Sequence, residues 1–129
     1  MTVEPVKTPS APAAIGPYSP AVRAGEWIVL SGQIPLDPAI GTLVDGDIEA
    51  QTRQVMTNIV AILGDCGATL HDVAKATIFV TDLGDFPTVN AVYADALGDH
   101  RPARATVQVA ALPAGAGVEI EVWAYKPAR

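Results

Sequence analysis

Arg104 stands at the head of an apolar alternating run, Pro102-Ala103-Arg104-Ala105-Thr106-Val107-Gln108-Val109. Read as a strand, the run puts Arg104, Thr106 and Gln108 on one face and Ala105, Val107 and Val109 on the other. A strand carries an arginine at a cost unless the guanidinium reaches water, a carboxylate or an anionic ligand. Its planar fork of five donors fits a carboxylate in a two-point grip. Recognition of a small carboxylate is the first chemistry this suggests, with a structural ion pair as the plainer alternative. The second candidate is Val118-Glu119-Ile120-Glu121-Val122-Trp123. Alternation groups Glu119 and Glu121 with Trp123, against Val118, Ile120 and Val122. A half-buried carboxylate there would have a raised pKa and suit a general base, while an ordinary polar strand face is the alternative.

Lesser candidates surround these two. Tyr18 lies in the turn-rich Gly16-Pro17-Tyr18-Ser19-Pro20, where a phenol can wall a small pocket or simply pack. Ser31-Gly32 follows an apolar strand and offers a hydroxyl and a backbone that a ligand can approach closely. Asn90, beside Val89 at the edge of a helix stripe, is placed for a polar contact. His71 and His100 fall in expected turns and are read as solvated. Cys66, near a helix end, reads as a small packed residue. No glycine-rich phosphate loop joins a strand to a helix, so no nucleotide cofactor is indicated. The single cysteine gives neither an internal disulfide nor a common zinc spacing.

The secondary structure that carries these groups is set by local pattern. Residues 1–14, with three prolines, form an extended lead-in with room for one short strand. Ala21–Arg23, a turn at Ala24–Glu26 and Trp27–Ser31 read as a hairpin. Gly32–Gly46 is a Pro/Gly/Asp-rich loop. A helix follows from about Asp47, its N-cap, to Asp65, with Ile48, Thr52, Val55, Ile59, Ile62 and Leu63 at helical spacing and Gly64 and Gly67 near its end. Val73–Thr81 alternates as a strand. A second helix starts near Asp85, expected to cap it, with Pro87 in the first turn; Phe86, Val89, Tyr93, Ala96 and Leu97 form its stripe and Gly98 ends it. Strands at about Arg104–Ala110 and Val118–Tyr125 close the chain. Two amphipathic helices need one sheet face to cover, which predicts a two-layer α+β fold with a mixed sheet, as a single domain over residues 1–129.

Composition narrows the function classes. Half of the 129 residues are apolar, and the mean hydropathy is +0.29. With no run of membrane-spanning length, that excess must be buried inside the subunit or between subunits. Eight basic against fourteen acidic residues give a net charge of −6 with no basic cluster, which argues against nucleic acid as a partner. Residues 1–14 lack the pattern of a secretory signal, so the cytoplasm is the expected location.

Six motifs then combine: Ala13-Ala14-Ile15-Gly16-Pro17-Tyr18-Ser19, Ser31-Gly32-Gln33-Ile34-Pro35, the helix with Gln51-Thr52-Arg53-Gln54, Phe86-Pro87-Thr88-Val89-Asn90, Pro102-Ala103-Arg104 and Val118-Glu119-Ile120-Glu121. In this order, from about residue 11 to 125, they closely resemble the RidA/YjgF family of reactive-intermediate (enamine/imine) deaminases. The resemblance implies a chorismate-mutase-like α+β fold, a homotrimer with active sites between subunits, and no cofactor or metal. It implies hydrolysis of 2-enamino and 2-imino acids, such as 2-aminoacrylate and 2-iminobutanoate, to 2-oxo acids and ammonia, which protects pyridoxal-phosphate enzymes from these intermediates. Arg104 matches the arginine that grips the substrate carboxylate, and Glu119 the acid that positions water. Tyr18, Ser31, Gly32 and Asn90 match positions lining the cleft. Where the family often has a cysteine this chain has Thr106, whose hydroxyl would share a water with Glu119. Two alternatives accompany this expectation: deamination of a catabolic enamine such as 2-aminomuconate, and a non-catalytic small-ligand-binding or holdase module. A ribonuclease reading has also been attached to the family, and the acidic charge opposes it.

Overall fold

The computed structural model describes residues 2–127 of the chain. Its elements are β1 (Val3–Pro5), β2 (Ala21–Ala24), β3 (Trp27–Leu30), α1 (Ile48–Asp65), β4 (Val73–Val80), α2 (Phe86–Leu97), β5 (Ala103–Gln108) and β6 (Val118–Tyr125). The strands form one sheet in the order β1-β2-β3-β6-β4-β5. Only β4 and β5, joined across α2, run parallel; the other pairs are antiparallel. The short strand of the lead-in is β1, paired with β2.

The helices form where the sequence supplies stripes and stops. Asp47 caps α1 by accepting from the Ala50 N–H at 3.0 Å. Thr52, Val55, Met56, Ile59, Ile62 and Leu63 then bury one face, and Gly67 takes up a φ of +79° just past the end. In α2 the buried residues are Val89, Val92, Tyr93 and Leu97. Both helices pack on one face of the sheet, where Ile28, Leu30, Ala76, Ile78, Val80, Val118, Ile120 and Val122 join them in a single core cluster. Ile78 and Ile120 are register partners and fully buried, so truncating either to alanine would cost about 2–5 kcal/mol. The fold is the two-layer α+β arrangement with a mixed sheet and both helices on one side.

Among the described residues, no helix or further sheet covers the opposite face. Trp27 (38% exposed), Trp123 (46%), Tyr125 (45%) and Val107 (43%) lie on it. The aromatic groups contact edge to face, with Trp27 centroids 6.2 Å from Trp123 and 5.2 Å from Tyr125.

Three local expectations fail. Asp85 makes no side-chain cap bond, because a 3-10 turn at Leu83–Asp85 precedes α2 and Asp82 caps that turn through the Gly84 N–H at 2.8 Å. Ala96 is exposed and Val92 takes its place in the stripe of α2. His100 is not simply solvated: its Nε2 is 2.8 Å from the Val73 carbonyl, and its ring lies 5.7 Å from that of the exposed His71.

Candidate functional site

Arg104 sits on β5, the edge strand, and pairs in register with Ala76, so its side chain rises on the helix-covered face, beneath α2. Phe86, Asn90 and Tyr93 recur at the spacing that lines one face of a helix. Together they cradle the guanidinium. Nη1 donates to Asn90 Oδ1 at 2.6 Å, and Cζ lies 5.2 Å from the Phe86 ring centroid and 5.3 Å from that of Tyr93. The structural ion-pair alternative is not what the fold uses. Among the described residues the ion pairs are Arg53–Glu49 and Lys126–Asp72, and the polar partner of Arg104 is a neutral amide. The Nε–Nη2 edge stays free for a bidentate carboxylate. Two residues on, Thr106 shares the Arg104 face, and its hydroxyl is buried without a hydrogen-bond partner.

Glu119 belongs to a different place. It pairs with Phe79 on β4, on the open face of the sheet. Beyond β3 the chain keeps company with β6: Gln33 and Ile120 exchange backbone hydrogen bonds of 2.8 and 3.1 Å. That bridge brings Gly32 against Glu119. A β-carbon on Gly32 would fall 2.0 Å from Glu119 Oε2, so the carboxylate occupies the space that any other residue would need. Ser31 does less for a ligand than its hydroxyl suggests. Its Oγ donates to the Ser19 carbonyl at 2.6 Å and its N–H to that of Pro20 at 2.9 Å, which ties the turn bearing Tyr18 to the end of β3. The result is a cleft of about 260 Å³ walled by Ile15, Tyr18, Ser31, Gly32, Ile34 and Glu119, among others. Burial raises the pKa of Glu119 from its ordinary value, and the neighbouring charge of Glu121 adds to the shift.

Within one chain, the sequence-derived site therefore divides. Thr106 lies in the row of Ile78 and Ile120, while Glu119 lies in the row of Phe79 and Val107. Adjacent rows of a pleated sheet point to opposite faces. Arg104, Thr106 and Asn90 are on one side; Tyr18, Ser31, Gly32 and Glu119 are on the other. A water shared by Glu119 and Thr106 of the same copy is ruled out by this geometry. Sequence reading missed the Phe86 and Tyr93 walls of the cradle, taking both only as core stripe; their spacing around Asn90 was the available signal. Among the described residues, no three His, Cys, Asp or Glu side chains converge as for a metal ion, and no helix is long and apolar enough to cross a membrane.

Residues 8–126 match the family described as endoribonuclease L-PSP. A 2-iminobutanoate/2-iminopropanoate deaminase from Bos taurus is 49% identical over 94% of this chain and 88% of its own. The crystal structure of a putative endoribonuclease from Thermotoga maritima superposes with a TM-score of 0.92 at 50% identity, covering 97% of this chain and 98% of its own. A Yersinia pestis protein of the conserved Rid protein family, described as of unknown function, gives a TM-score of 0.92 at 49% identity over 96% and 99% of the two chains.

Proposed function

The chain belongs to the family described as endoribonuclease L-PSP, the RidA/YjgF family, and from that premise we propose that it hydrolyses reactive 2-imino and 2-enamino acids to 2-oxo acids and ammonia. The observation that carries this reading is Arg104, a guanidinium anchored on one side by Asn90, flanked by two rings and open along its other edge. A relative of 49% identity bears the name of this activity. The family description also names an endoribonuclease, but a net charge of −6 offers little to a phosphate backbone.

In this reading the chain works as a homotrimer. The open sheet faces meet, and the Arg104 pocket at the β5 edge of one copy adjoins the Glu119 cleft of the next. The exposed Trp27, Trp123, Tyr125 and Val107 supply the apolar area for that contact. Arg104 grips the substrate carboxylate and fixes the imine carbon beside a water held by Glu119. The ionised carboxylate takes a proton as the water oxygen bonds to carbon, and its raised pKa brings it closer to working at neutral pH. The proton passes to nitrogen, and the carbinolamine hydroxyl then gives its proton to the carboxylate as the C=O forms, the C–N bond breaks and ammonia leaves. An enamine first takes a proton at carbon from the same carboxylic acid. Thr106, whose hydroxyl lacks a partner, is a further donor on the Arg104 side.

The test is imine loss. An amino-acid oxidase with catalase generates 2-iminobutanoate, and semicarbazide traps what survives. The protein is expected to lower the trapped fraction and Arg104→Ala is not. A wild-type protein without effect across several amino acids would overturn the deaminase reading.

A further inference from the structure

We propose that Arg101 forms a second cationic contact in the Arg104 pocket and that the preferred substrate is a short 2-imino acid carrying a second carboxylate; this rests on the deaminase reading above and names the substrate class of that same site.

The pocket holds about 450 Å³ and is lined by Asn90, Tyr93, Ala94, Arg101, Pro102 and Arg104. Two guanidinia three residues apart on a strand would face opposite sides. Here Arg101 precedes β5, in the turn that leaves α2, and so it shares a wall with Arg104. Nor does its side chain wander freely. Nη1 donates to the Gly98 carbonyl at 2.6 Å and to the His100 carbonyl at 2.8 Å, which pins the guanidinium to the turn and leaves its Nε and Nη2 donors open. Neither arginine meets a carboxylate among the described residues, in a chain with fourteen acids to eight bases.

Tyr93, a wall of the same pocket, is also left under-satisfied. The Tyr93 hydroxyl is buried, its residue only 5% exposed, and it has no hydrogen-bond partner. Buried hydroxyls without partners are rare, and this one belongs to a residue lining the pocket between the two arginines. A substrate with a methyl or ethyl side chain occupies only one of the two cations. A side-chain carboxylate compensates the second cation.

Binding tests this without turnover. Oxaloacetate and 2-oxobutanoate are both four-carbon 2-oxo acids and differ by a terminal carboxylate against a methyl group, so titration calorimetry on the intact protein isolates that difference. Oxaloacetate is expected to bind about tenfold more tightly, and Arg101→Gln to collapse the ratio of the two affinities. Arg53→Gln, which removes the same charge from the exposed side of α1, keeps the wild-type ratio. Equal affinities in the wild type, or an Arg101→Gln that weakens both ligands alike, would overturn the proposal; the latter would mean that both arginines hold one carboxylate. A preference for oxaloacetate in a protein that fails the imine assay removes the deaminase reading and keeps the dianion site. Imine hydrolysis without that preference does the reverse.

Discussion

Arg104 and Glu119 are charged side chains on strands of one sheet, yet their surroundings differ in kind. Arg104 is held by an amide hydrogen bond and two aromatic rings from a single helix face. Glu119 sits half-buried against a glycine, near a like charge, with its pKa raised. The difference fits the two tasks proposed for these residues. A group that grips must be fixed before the ligand arrives, because ordering it afterwards costs affinity. A group that takes a proton gains from poor solvation, since a well-satisfied carboxylate would be too weak a base.

The strongest way to break this contrast is to give each half to a different copy. Arg104→Ala and Glu119→Gln variants, each expected to be inactive alone, are mixed, co-unfolded and refolded. If one copy supplies the grip and the next the base, random assembly restores about a quarter of wild-type activity, since each half is intact with a chance of one in two. No restoration would tie both halves to a single copy, against the sheet geometry.

Next in size is Gly32→Ala. Its β-carbon displaces the Glu119 carboxylate, so kcat should fall roughly a hundredfold while affinity for 2-oxobutanoate persists, read by steady-state kinetics and calorimetry. A loss of affinity alone would show that the glycine serves binding. Asn90→Ala tests the other half. It frees the guanidinium without removing it, and KM should rise up to about tenfold with kcat little changed. Equal losses in kcat and kcat/KM would instead assign the amide to the transition state.

The smallest effect comes from Glu121→Gln. The charge of Glu121 helps to raise the pKa of Glu119, so removing it lowers that pKa. The base then stays ionised to lower pH, and the acid limb of the kcat/KM profile moves down in pH. A limb that moves up, or stays, would mean that another group titrates there.

The faces of single strands were legible because alternation is local: Ala76, Ile78 and Val80 on β4, and Val118, Ile120 and Val122 on β6, are buried as their pattern predicts. The arginine stood out for the same reason. What alternation does not carry is register between strands distant in sequence. Only the pairing of Ile78 with Ile120 and with Thr106 reveals that Arg104 and Glu119 face opposite ways. The Gly32–Glu119 contact likewise depends on a bridge between Gln33 and Ile120. Asp85 and His100 failed for a different reason. Capping rules describe an isolated helix end, and here a 3-10 turn and the Val73 carbonyl competed for the same groups.

One consequence of the open sheet face concerns how the protein can be watched. Its only two tryptophans, Trp27 and Trp123, both stand on that face, in contact with each other and bearing side chains exposed to solvent in the single chain. Intrinsic fluorescence therefore reports on this surface and on little else. Emission should shift to the blue when another surface covers the indoles and to the red when dilution bares them, giving an optical gauge of assembly that needs no added label.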